Sequence, residues 1–229
     1  MRICGIDDAG RGSVIGPLVI AGILVDEHGL QRLIQIGVRD SKALSPKKRE
    51  ELAEQILKVV ERYHIIKVQP WEIDVVVERG RRLNRLNRLE ARVMAKIICE
   101  LRPNIAYVDA SDVLPERFKQ HILEEVPFEV EIISEHNADK IYPVVSAASI
   151  IAKVERDREI KRLKREYGDF GSGYPADPKT ISFLKGWIEK HDLYPVFVRK
   201  SWKTAKEILK SKGGRDQRIL SDYNRTAKI

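Results

Sequence analysis

Two adjacent carboxylates, Asp7 and Asp8, follow a short apolar segment near the start of this chain and precede a Gly-Arg-Gly turn at residues 10–12. Successive side chains of a strand point to opposite faces, so a strand cannot usefully bury two neighbouring acids, but it can end on them. Glycines after the acids let backbone amides approach a ligand. The pattern favours a divalent metal and a phosphate-bearing substrate. For this motif alone, a solvated turn after an edge strand is the alternative.

Two further acids occupy similar positions. Asp109 follows the apolar residues 105–108, and Asp139 lies just before a helix that begins near Pro143. In open α/β sheets ligands bind at the carboxyl ends of strands. Four carboxylates converging there would repel one another without cations, and hard oxygen ligands without a His/Cys cluster select Mg²⁺ or Mn²⁺. Two such ions about 4 Å apart activate a water and stabilise the leaving oxygen in phosphodiester cleavage. His136 is interpreted as a loop histidine rather than a metal ligand.

Composition predicts a globular protein of one large domain or a core with an appendage. The 229 residues are 43% hydrophobic and 33% charged, which is ordinary for a chain that buries a core. No apolar run approaches the roughly 20 residues that span a bilayer, and no signal peptide is visible. Cys4 and Cys99 lack metal-ligand spacing and are interpreted as reduced thiols, so we expect a cytoplasmic location and no membrane partner.

The net charge of +8 is unevenly distributed. Residues 199–229 contain ten Lys or Arg against three acids, and residues 79–92 contain six Arg and one Glu. Basic segments around an acidic centre are typical of a protein that binds a phosphate backbone on either side of a metal site. The alternative is that they form only a soluble basic surface. The stripe Arg81, Arg85, Arg88 and Arg92 is usually a solvated face and becomes relevant only if it borders the acids.

Hydrophobic periodicity predicts an α/β sheet with helices on its faces and a mainly helical C-terminal appendage. The first two strands are joined by a hairpin-like connection. The predicted strands are Arg2–Asp7, Leu18–Val25, His64–Val68, Ile105–Val108 and Phe128–Ile133. The predicted helices follow Ser45-Pro46, run from about Arg81 to Leu101 and from Pro115 to Glu125, begin near Pro143, follow Asp177-Pro178, and run from Arg199 to Lys212.

Five motifs in order identify a family. They are GIDDAGRG at the start, RDSKALSPKKRE around Lys42, YVDASDV around Asp109, EHNADKIYPVVSAASIIAKVERDREI around Asp139, and FGSGYPADPKT around Tyr174. The chain resembles the type 2 ribonucleases H (ribonuclease HII), in particular the archaeal branch, over nearly its whole length. The resemblance implies a ribonuclease H-like mixed sheet flanked by helices, with a small helical C-terminal region. The expected boundaries are 1–165 for the catalytic domain, 166–212 for the helical region and 213–229 for a tail.

The resemblance also implies an activity. The family's enzymes are endonucleases that hydrolyse the RNA strand of RNA/DNA duplexes and cut on the 5′ side of single ribonucleotides in duplex DNA. They use metal-activated water and leave 3′-hydroxyl and 5′-phosphate ends. The implied biological role is removal of misincorporated ribonucleotides and of replication primers, and we expect a monomer.

Roles carry over residue by residue from the family. The acids Asp7, Asp8, Asp109 and Asp139 are expected to hold two Mg²⁺ or Mn²⁺ ions. The turn Gly10, Arg11 and Gly12 is expected to read the 2′-hydroxyl through backbone contacts, since that group alone distinguishes RNA from DNA at one position. Tyr174 is expected to pack on the deoxyribose of an RNA–DNA junction. Ser41, Lys42 and Lys153 resemble phosphate-contacting positions.

Two residues depart from the family pattern. Asp8 stands where the family has glutamate, so the carboxylate reaches ~1.5 Å less far, and catalytic geometry is sensitive on that scale. Asn137 stands where lysine is expected, so a phosphate contact or the charge balance near the metals changes. The Asp8 departure leaves open an alternative function, a nucleic-acid-binding member with impaired catalysis.

Two other interpretations come from the sequence. Gln217, Leu220 and Tyr223 fit the spacing of a sliding-clamp-binding box, in which apolar side chains enter a partner's groove; a frayed polar terminus is the alternative. A phospho-receiver signalling domain also has an acid pair after its first strand. Its phosphoacceptor would lie much closer to the pair than Asp109 does, and its fold would leave the basic helices unexplained.

Overall fold

A five-stranded mixed sheet organises the chain in the computed structural model, which describes residues 1–38, 45–79 and 85–211. Strand β1 runs antiparallel to β2 and parallel to β4, and β4 runs parallel to β5. The predicted α/β sheet and the hairpin-like link between the first two strands are therefore confirmed. The strands are β1 (Ile3–Ala9), β2 (Leu18–Val25), β3 (Arg62–Val68), β4 (Ile105–Asp109) and β5 (Glu131–Glu135), in the spatial order β3-β2-β1-β4-β5.

Each predicted helix is present among the described residues, and its first and last residues lie within a few positions of the prediction. Ser45 and Asp177 act as N-caps as predicted, and their side chains accept hydrogen bonds from the amides of Lys48 at 3.4 Å and Lys179 at 2.9 Å. Three helices, α1, α3 and the short α6, were not predicted. The helices are α1 (Glu27–Gln35), α2 (Pro46–Val59), α3 (Pro70–Arg79), α4 (Arg85–Leu101), α5 (Pro115–Leu123), α6 (Ala138–Ile141), α7 (Pro143–Tyr167), α8 (Pro178–Lys190) and α9 (Lys203–Lys210).

Several predicted boundaries differ from the structure, and two of the differences have identifiable reasons. The last strand starts at Glu131, which pairs with Ile105, whereas Phe128 lies outside the strand under the Arg102 guanidinium, 4.5 Å from its ring centre. The last helix starts only at Lys203 because the backbone amides just before it are hydrogen-bonded to a buried acid instead of to helix carbonyls. The amides of residues 200 and 201 donate to the side chain of Asp74 at 3.0 and 2.9 Å.

The chain divides into two compact units. The division differs from the expected boundary at residue 165, because α7 is split after Asp157 and the second unit also takes two earlier segments. The first unit comprises Met1–Arg11, Leu18–Lys67 and Asn84–Asp157, and the second comprises Gly12–Pro17, Val68–Leu83 and Arg158–Ile229.

The core of the first unit depends on two close contacts of glycines in the central strands. A Cβ atom on Gly5 would lie 2.3 Å from the carbonyl carbon and oxygen of Val144 on α7. A Cβ atom on Gly22, in β2, would lie 2.3 Å from a side-chain methyl of Ile97 on α4. Real atoms do not approach so closely, so β1 and β2 fit between these helices only because both residues are glycine.

The second unit has a separate core of aromatic and aliphatic side chains. Phe170 packs with Phe183 and Phe197 at centroid distances of 5.6 and 6.2 Å. The segment 12–17 belongs to this core, since the amides of Val14 and Ile15 both donate to the Gly173 carbonyl, at 2.8 and 3.1 Å. The predicted helical C-terminal region therefore has its own packed core, and residues 12–17 are part of it.

The loop after β4 is fixed by a buried acid, Asp112. Its carboxylate accepts a hydrogen bond from the Leu114 amide at 3.0 Å and pairs with Arg117 in the first turn of α5. Burial raises the pKa of Asp112, but hydrogen bonds from Arg117, Leu114 and Asn87 outweigh it and hold that pKa well below its usual range.

Within the described residues, no helix is long and apolar enough to cross a membrane. Cys4 and Cys99 are both free thiols, the first buried and the second partly exposed.

Gly5→Ala is expected to destabilise the protein because the added methyl group would overlap the backbone of α7. Overpacking of this kind costs about 1–3 kcal/mol, and each 1 kcal/mol shifts Tm by about 2–4 °C in a protein of this size. Thermal unfolding measures the shift. The matched control is Gly186→Ala in α8, where a Cβ atom meets nothing within 4 Å and the helix gains about 0.5–1 kcal/mol. An unchanged Tm for Gly5→Ala would contradict the close contact.

Asp112→Asn is expected to destabilise the protein in a pH-dependent manner. A carboxyl group whose folded pKa is depressed stabilises the fold above its unfolded pKa of about 3.9 and loses that contribution as the pH falls through the folded pKa. The loss in unfolding free energy caused by Asp112→Asn should be constant above about pH 5 and shrink below about pH 4. Urea denaturation at several pH values measures it, and a difference that persists unchanged at low pH would refute the assignment.

Candidate active site

Asp7 and Asp8 lie inside β1, which continues to Ala9, so the prediction that the strand ends at Asp7 is wrong. The alternation of the strand separates the two side chains. Asp7 shares a face with Gly5, which packs on the backbone of α7, and Asp8 shares a face with Ile6. Each acid therefore obtains polar partners from different elements, which is how one strand accommodates both.

The Asp7 carboxylate is buried against α7. It accepts hydrogen bonds from the Ser149 hydroxyl and from the Asp8 amide, the latter at 2.7 Å. Burial raises the pKa of Asp7 well above its ordinary value, and the charges of Asp8 and Asp109 raise it further. A nearby cation would reverse these effects, because opposite charge favours the ionised form.

Asp8 is half-buried on the other face of β1. Burial and the charge of Glu90 raise the pKa of Asp8 to about 7, and the guanidinium of Arg11 opposes them. The Ser111 hydroxyl, on the loop after β4, donates a hydrogen bond to Oδ2 of Asp8 over 3.4 Å. Asp8 thus lies among fixed charges of both signs.

Asp109 is the last residue of β4, one residue later than the predicted strand end, at the predicted edge of the sheet. Its Oδ1 accepts a hydrogen bond from the Ala138 amide at 2.7 Å, and this bond ties it to the start of α6. Asp139 is the next residue and is buried. Asn137 precedes them in a left-handed conformation, with φ of +57°, which asparagine tolerates better than most residues. The residue that replaces the expected lysine therefore suits the turn that presents Asp139.

The structure brings Asp7, Asp8 and Asp109 within electrostatic reach of one another and places Asp139 beside the amide that binds Asp109. In residues 1–38, 45–79 and 85–211, no group of three or more His, Cys, Asp or Glu side chains is arranged to hold a metal ion. The donor chemistry nevertheless fits Mg²⁺ or Mn²⁺, because every donor is a carboxylate oxygen and their mutual repulsion favours a hard cation.

Sequence reasoning missed four polar residues that surround the acids: Arg11 as a side chain, Glu90, Ser111 and Ser149. Glu90 is fully buried, and its carboxylate pairs with Arg11 Nε at 2.8 Å. A signal for it existed. Glu90 is the one acid in the Arg-rich segment 79–92 and falls on the apolar face of α4, four residues after Leu86 and three before Val93.

The basic stripe of α4 is partly neutralised. Arg88 and Arg92 pair with Glu124 and Glu125 at 3.7 and 3.3 Å. Arg85 is half-buried, and Arg81 lies outside the described residues. The interpretation of this stripe as an ordinary helix face therefore holds for Arg88 and Arg92.

The residues expected to read the ribose and the junction lie in defined turns. Gly10 has φ of +88°, a conformation that favours glycine. Gly12 is exposed, and a Cβ atom there would meet nothing within 4 Å. Tyr174 is 36% exposed in a loop of the second unit that Asp177 fixes by accepting the Ser172 amide at 2.6 Å.

The remaining candidates divide into described and undescribed residues. Lys153, on α7, donates a hydrogen bond to Ser149 Oγ at 2.7 Å. Because the Ser149 hydroxyl in turn donates to Asp7, Lys153 is linked to that acid through Ser149. The His136 ring lies 3.2 Å from the Val113 carbonyl, in agreement with a loop histidine. The other candidates, Ser41, Lys42, Gln217, Leu220 and Tyr223, lie outside the described residues.

Comparison with known proteins gives a consistent result. The family model described as Ribonuclease HII matches residues 4–205. A ribonuclease HII of Thermococcus kodakarensis is 50% identical over 210 residues, 91% of this chain and 90% of that protein. The crystal structure of ribonuclease H2 from Pyrococcus horikoshii covers 94% of this chain and 100% of its own, with 44% identity and a TM-score of 0.86. Ribonuclease HII from Archaeoglobus fulgidus, in a structure of its complex with PCNA, is 47% identical over 89% of this chain and 96% of its own, with a TM-score of 0.81.

These matches confirm the resemblance to the archaeal branch and the ribonuclease H-like sheet, and they exclude the phospho-receiver interpretation. The matched region includes β1, β4 and α6, which carry the four acids. The chain therefore belongs to the ribonuclease HII family and is a metal-dependent ribonuclease H.

Proposed function

We propose that this protein is an endonuclease that hydrolyses the RNA strand of RNA/DNA duplexes and cuts on the 5′ side of single ribonucleotides in duplex DNA. It leaves 3′-hydroxyl and 5′-phosphate ends. The observation that carries the proposal is the placement of Asp7 and Asp8 on β1 and of Asp109 at the end of the neighbouring parallel strand β4, where Asp109 is bound by the amide that precedes Asp139. Such an enzyme removes misincorporated ribonucleotides and replication primers.

The four acids Asp7, Asp8, Asp109 and Asp139 would hold two Mg²⁺ or Mn²⁺ ions. When bound, such ions activate a water and stabilise the leaving oxygen. The protein's own contribution is to fix the carboxylates before substrate arrives. The Ser149 hydroxyl holds Asp7, and the Ala138 amide holds Asp109 at 2.7 Å, so neither carboxylate has to be reoriented.

Recognition of the ribonucleotide is assigned to the turn Gly10, Arg11 and Gly12. Its positive φ at Gly10 and its open space at Gly12 support close approach of a sugar to backbone atoms. The 2′-hydroxyl both donates and accepts hydrogen bonds, so backbone groups can select it. Tyr174 is assigned to the deoxyribose at the junction, and Ser41, Lys42 and Lys153 to phosphates.

Asp8 decides between catalysis and binding alone. Its carboxylate is one methylene shorter than the glutamate of the family pattern, and Ser111 reaches it only over 3.4 Å. A shorter reach displaces a metal ligand by ~1.5 Å, which is enough to weaken catalysis. The alternative of a family member that binds nucleic acid with impaired catalysis rests on this residue.

The deciding experiment is cleavage of a DNA duplex that contains one ribonucleotide, mapped at nucleotide resolution with Mg²⁺ and Mn²⁺ in parallel. We expect one cut on the 5′ side of the ribonucleotide.

Asp8→Glu should raise the rate with Mg²⁺ about tenfold or more, as expected when ~1 Å of misplacement is corrected. Asp7→Asn should abolish cleavage, because a neutral amide is a poor ligand for these ions.

Two outcomes would contradict this assignment. Binding of the duplex without a cut under either metal would favour the binding-only alternative, and recovery of cleavage by Asp8→Glu would trace the defect to Asp8. Full activity of Asp7→Asn would show that the site lies elsewhere.

We also propose that residues Gln217, Leu220 and Tyr223 bind a sliding clamp. Two observations support this, the box-like spacing in the sequence and the structure of the Archaeoglobus fulgidus relative in complex with PCNA. Binding would hold the nuclease on newly replicated DNA, where ribonucleotides have just been incorporated.

The double substitution Leu220→Ala with Tyr223→Ala should abolish clamp binding and leave cleavage of free duplex unchanged. Both apolar side chains are needed to fill a partner's groove. Surface plasmon resonance with an immobilised archaeal sliding clamp measures the loss. Equal binding by the wild type and the double variant would refute the assignment of the tail.

A further inference from the structure

The side chain of Arg11 is held by the first turns of α4. Its Nε–H is shared between the two carboxylate oxygens of Glu90, at 2.8 and 3.1 Å, and its Nη2 donates to Asn87 Oδ1 at 2.6 Å. Asn87 and Glu90 are three residues apart and therefore share one face of the helix. The guanidinium is thus fixed in both position and plane, which a single contact would not achieve.

The pair is costly for the protein to keep. Glu90 is fully buried, whereas the side chain of Arg11 is 39% exposed. Transferring a carboxylate from water to the interior costs free energy, and the ion pair offsets this cost only when its geometry is good. An apolar residue of similar size often stabilises a core as well or better. The Glu90–Arg11 pair therefore adds little to the stability of the fold. It does fix the position of Arg11 and of the backbone to which Arg11 belongs.

Arg11 carries the turn between two glycines. Gly10 has φ of +88° and Gly12 has no neighbour within 4 Å of its Cβ position. Glycines leave a backbone freer than any other residue does, so a fixed side chain between the two glycines restricts the conformations of the turn. That side chain is anchored at α4 rather than extended into solvent.

Asn87 extends the anchor to the second strand that bears a catalytic acid. Its carbonyl oxygen accepts from Arg11, and its side chain also donates to the Asp112 carboxylate, on the loop that follows Asp109. The two ends of one amide therefore connect the turn after β1 with the loop after β4. The amino-terminal end of α4 sets the relative position of both.

We propose that Asn87 and Glu90 are positioning residues that act through Arg11 to hold the Gly10–Gly12 turn in the conformation that reads a ribose 2′-hydroxyl. This inference rests on the proposed function of that turn. The residues do not touch the substrate. They determine how strongly the protein distinguishes ribose from deoxyribose at the cut site.

The test compares binding of a duplex containing one ribonucleotide with binding of the identical all-DNA duplex, by fluorescence anisotropy with Ca²⁺ in place of Mg²⁺ to prevent cleavage. The discrimination ratio is the Kd for the all-DNA duplex divided by the Kd for the ribonucleotide duplex. Glu90→Gln keeps the shape of the side chain but removes the charge that holds Arg11. We expect it to reduce the ratio about tenfold, which corresponds to the loss of one charge-assisted hydrogen bond, with the Kd for the all-DNA duplex unchanged.

Two further variants keep the test decisive. Arg11→Lys retains a positive charge but cannot form the fork to Glu90 and Asn87, so it should reduce the ratio similarly. The matched control is Glu125→Gln, which removes the partner of Arg92 from an exposed pair formed by the same helix and should leave the ratio unchanged. Far-ultraviolet circular dichroism and thermal unfolding confirm that each variant is folded.

The outcomes separate this inference from the proposed function. A folded Glu90→Gln protein that retains the wild-type ratio would overturn the inference, as would an equal fall for Glu125→Gln. If the wild type discriminates but does not cut, the nuclease assignment fails while the ratio still tests Glu90. If the wild type does not discriminate at all, the turn does not read the 2′-hydroxyl and the inference is overturned with it.

Discussion

The contact of β1 with the backbone of α7 at Gly5 is the constraint on which the site depends. Because no side chain fits there, the strand lies directly on the helix, and Asp7, two residues further along the same face, reaches Ser149. Asp8 points to the opposite face, where it meets the charges of Glu90 and Arg11. One strand thus presents two neighbouring carboxylates because each face of the sheet has its own helix to receive one of them.

The same arrangement stores electrostatic free energy. Burial and mutual repulsion raise the pKa values of Asp7 and Asp8, so the ionised site opposes the stability of the fold. A divalent cation would remove this penalty, which links metal binding to the fold. The hydrogen bonds that Ser149 and Ser111 donate to Asp7 and Asp8 favour the ionised carboxylates that a metal requires, but burial and repulsion outweigh them in the metal-free protein.

Much of this could be predicted from residues alone. Hydrophobic periodicity located all five strands to within a few residues, and Ser45 and Asp177 revealed their helices because capping side chains act locally. Asp7, Asp8 and Asp109 were recognisable because apolar runs end beside them, and Asp139 because it lies just before a helix. What periodicity could not show were tertiary partners, such as the match between Glu90 and Arg11, which are 79 residues apart. It also missed α1, although Asp26 caps it through the Gly29 amide at 2.6 Å, because that helix is short and only two of its residues are buried.

Recognition through backbone atoms raises a problem that side-chain recognition does not have. A turn that must approach a sugar closely needs glycines, and glycines remove the rigidity that discrimination requires. In this chain Arg11 lies between two glycines and is held by the fully buried Glu90 and the half-buried Asn87 of α4 at three donor–acceptor contacts. The Arg11 side chain of the turn is therefore held by a carboxylate in the protein's interior, that of Glu90. The physical cost of burying Glu90 is consistent with a role in specificity, since stability alone would be served as well by an apolar residue at that position.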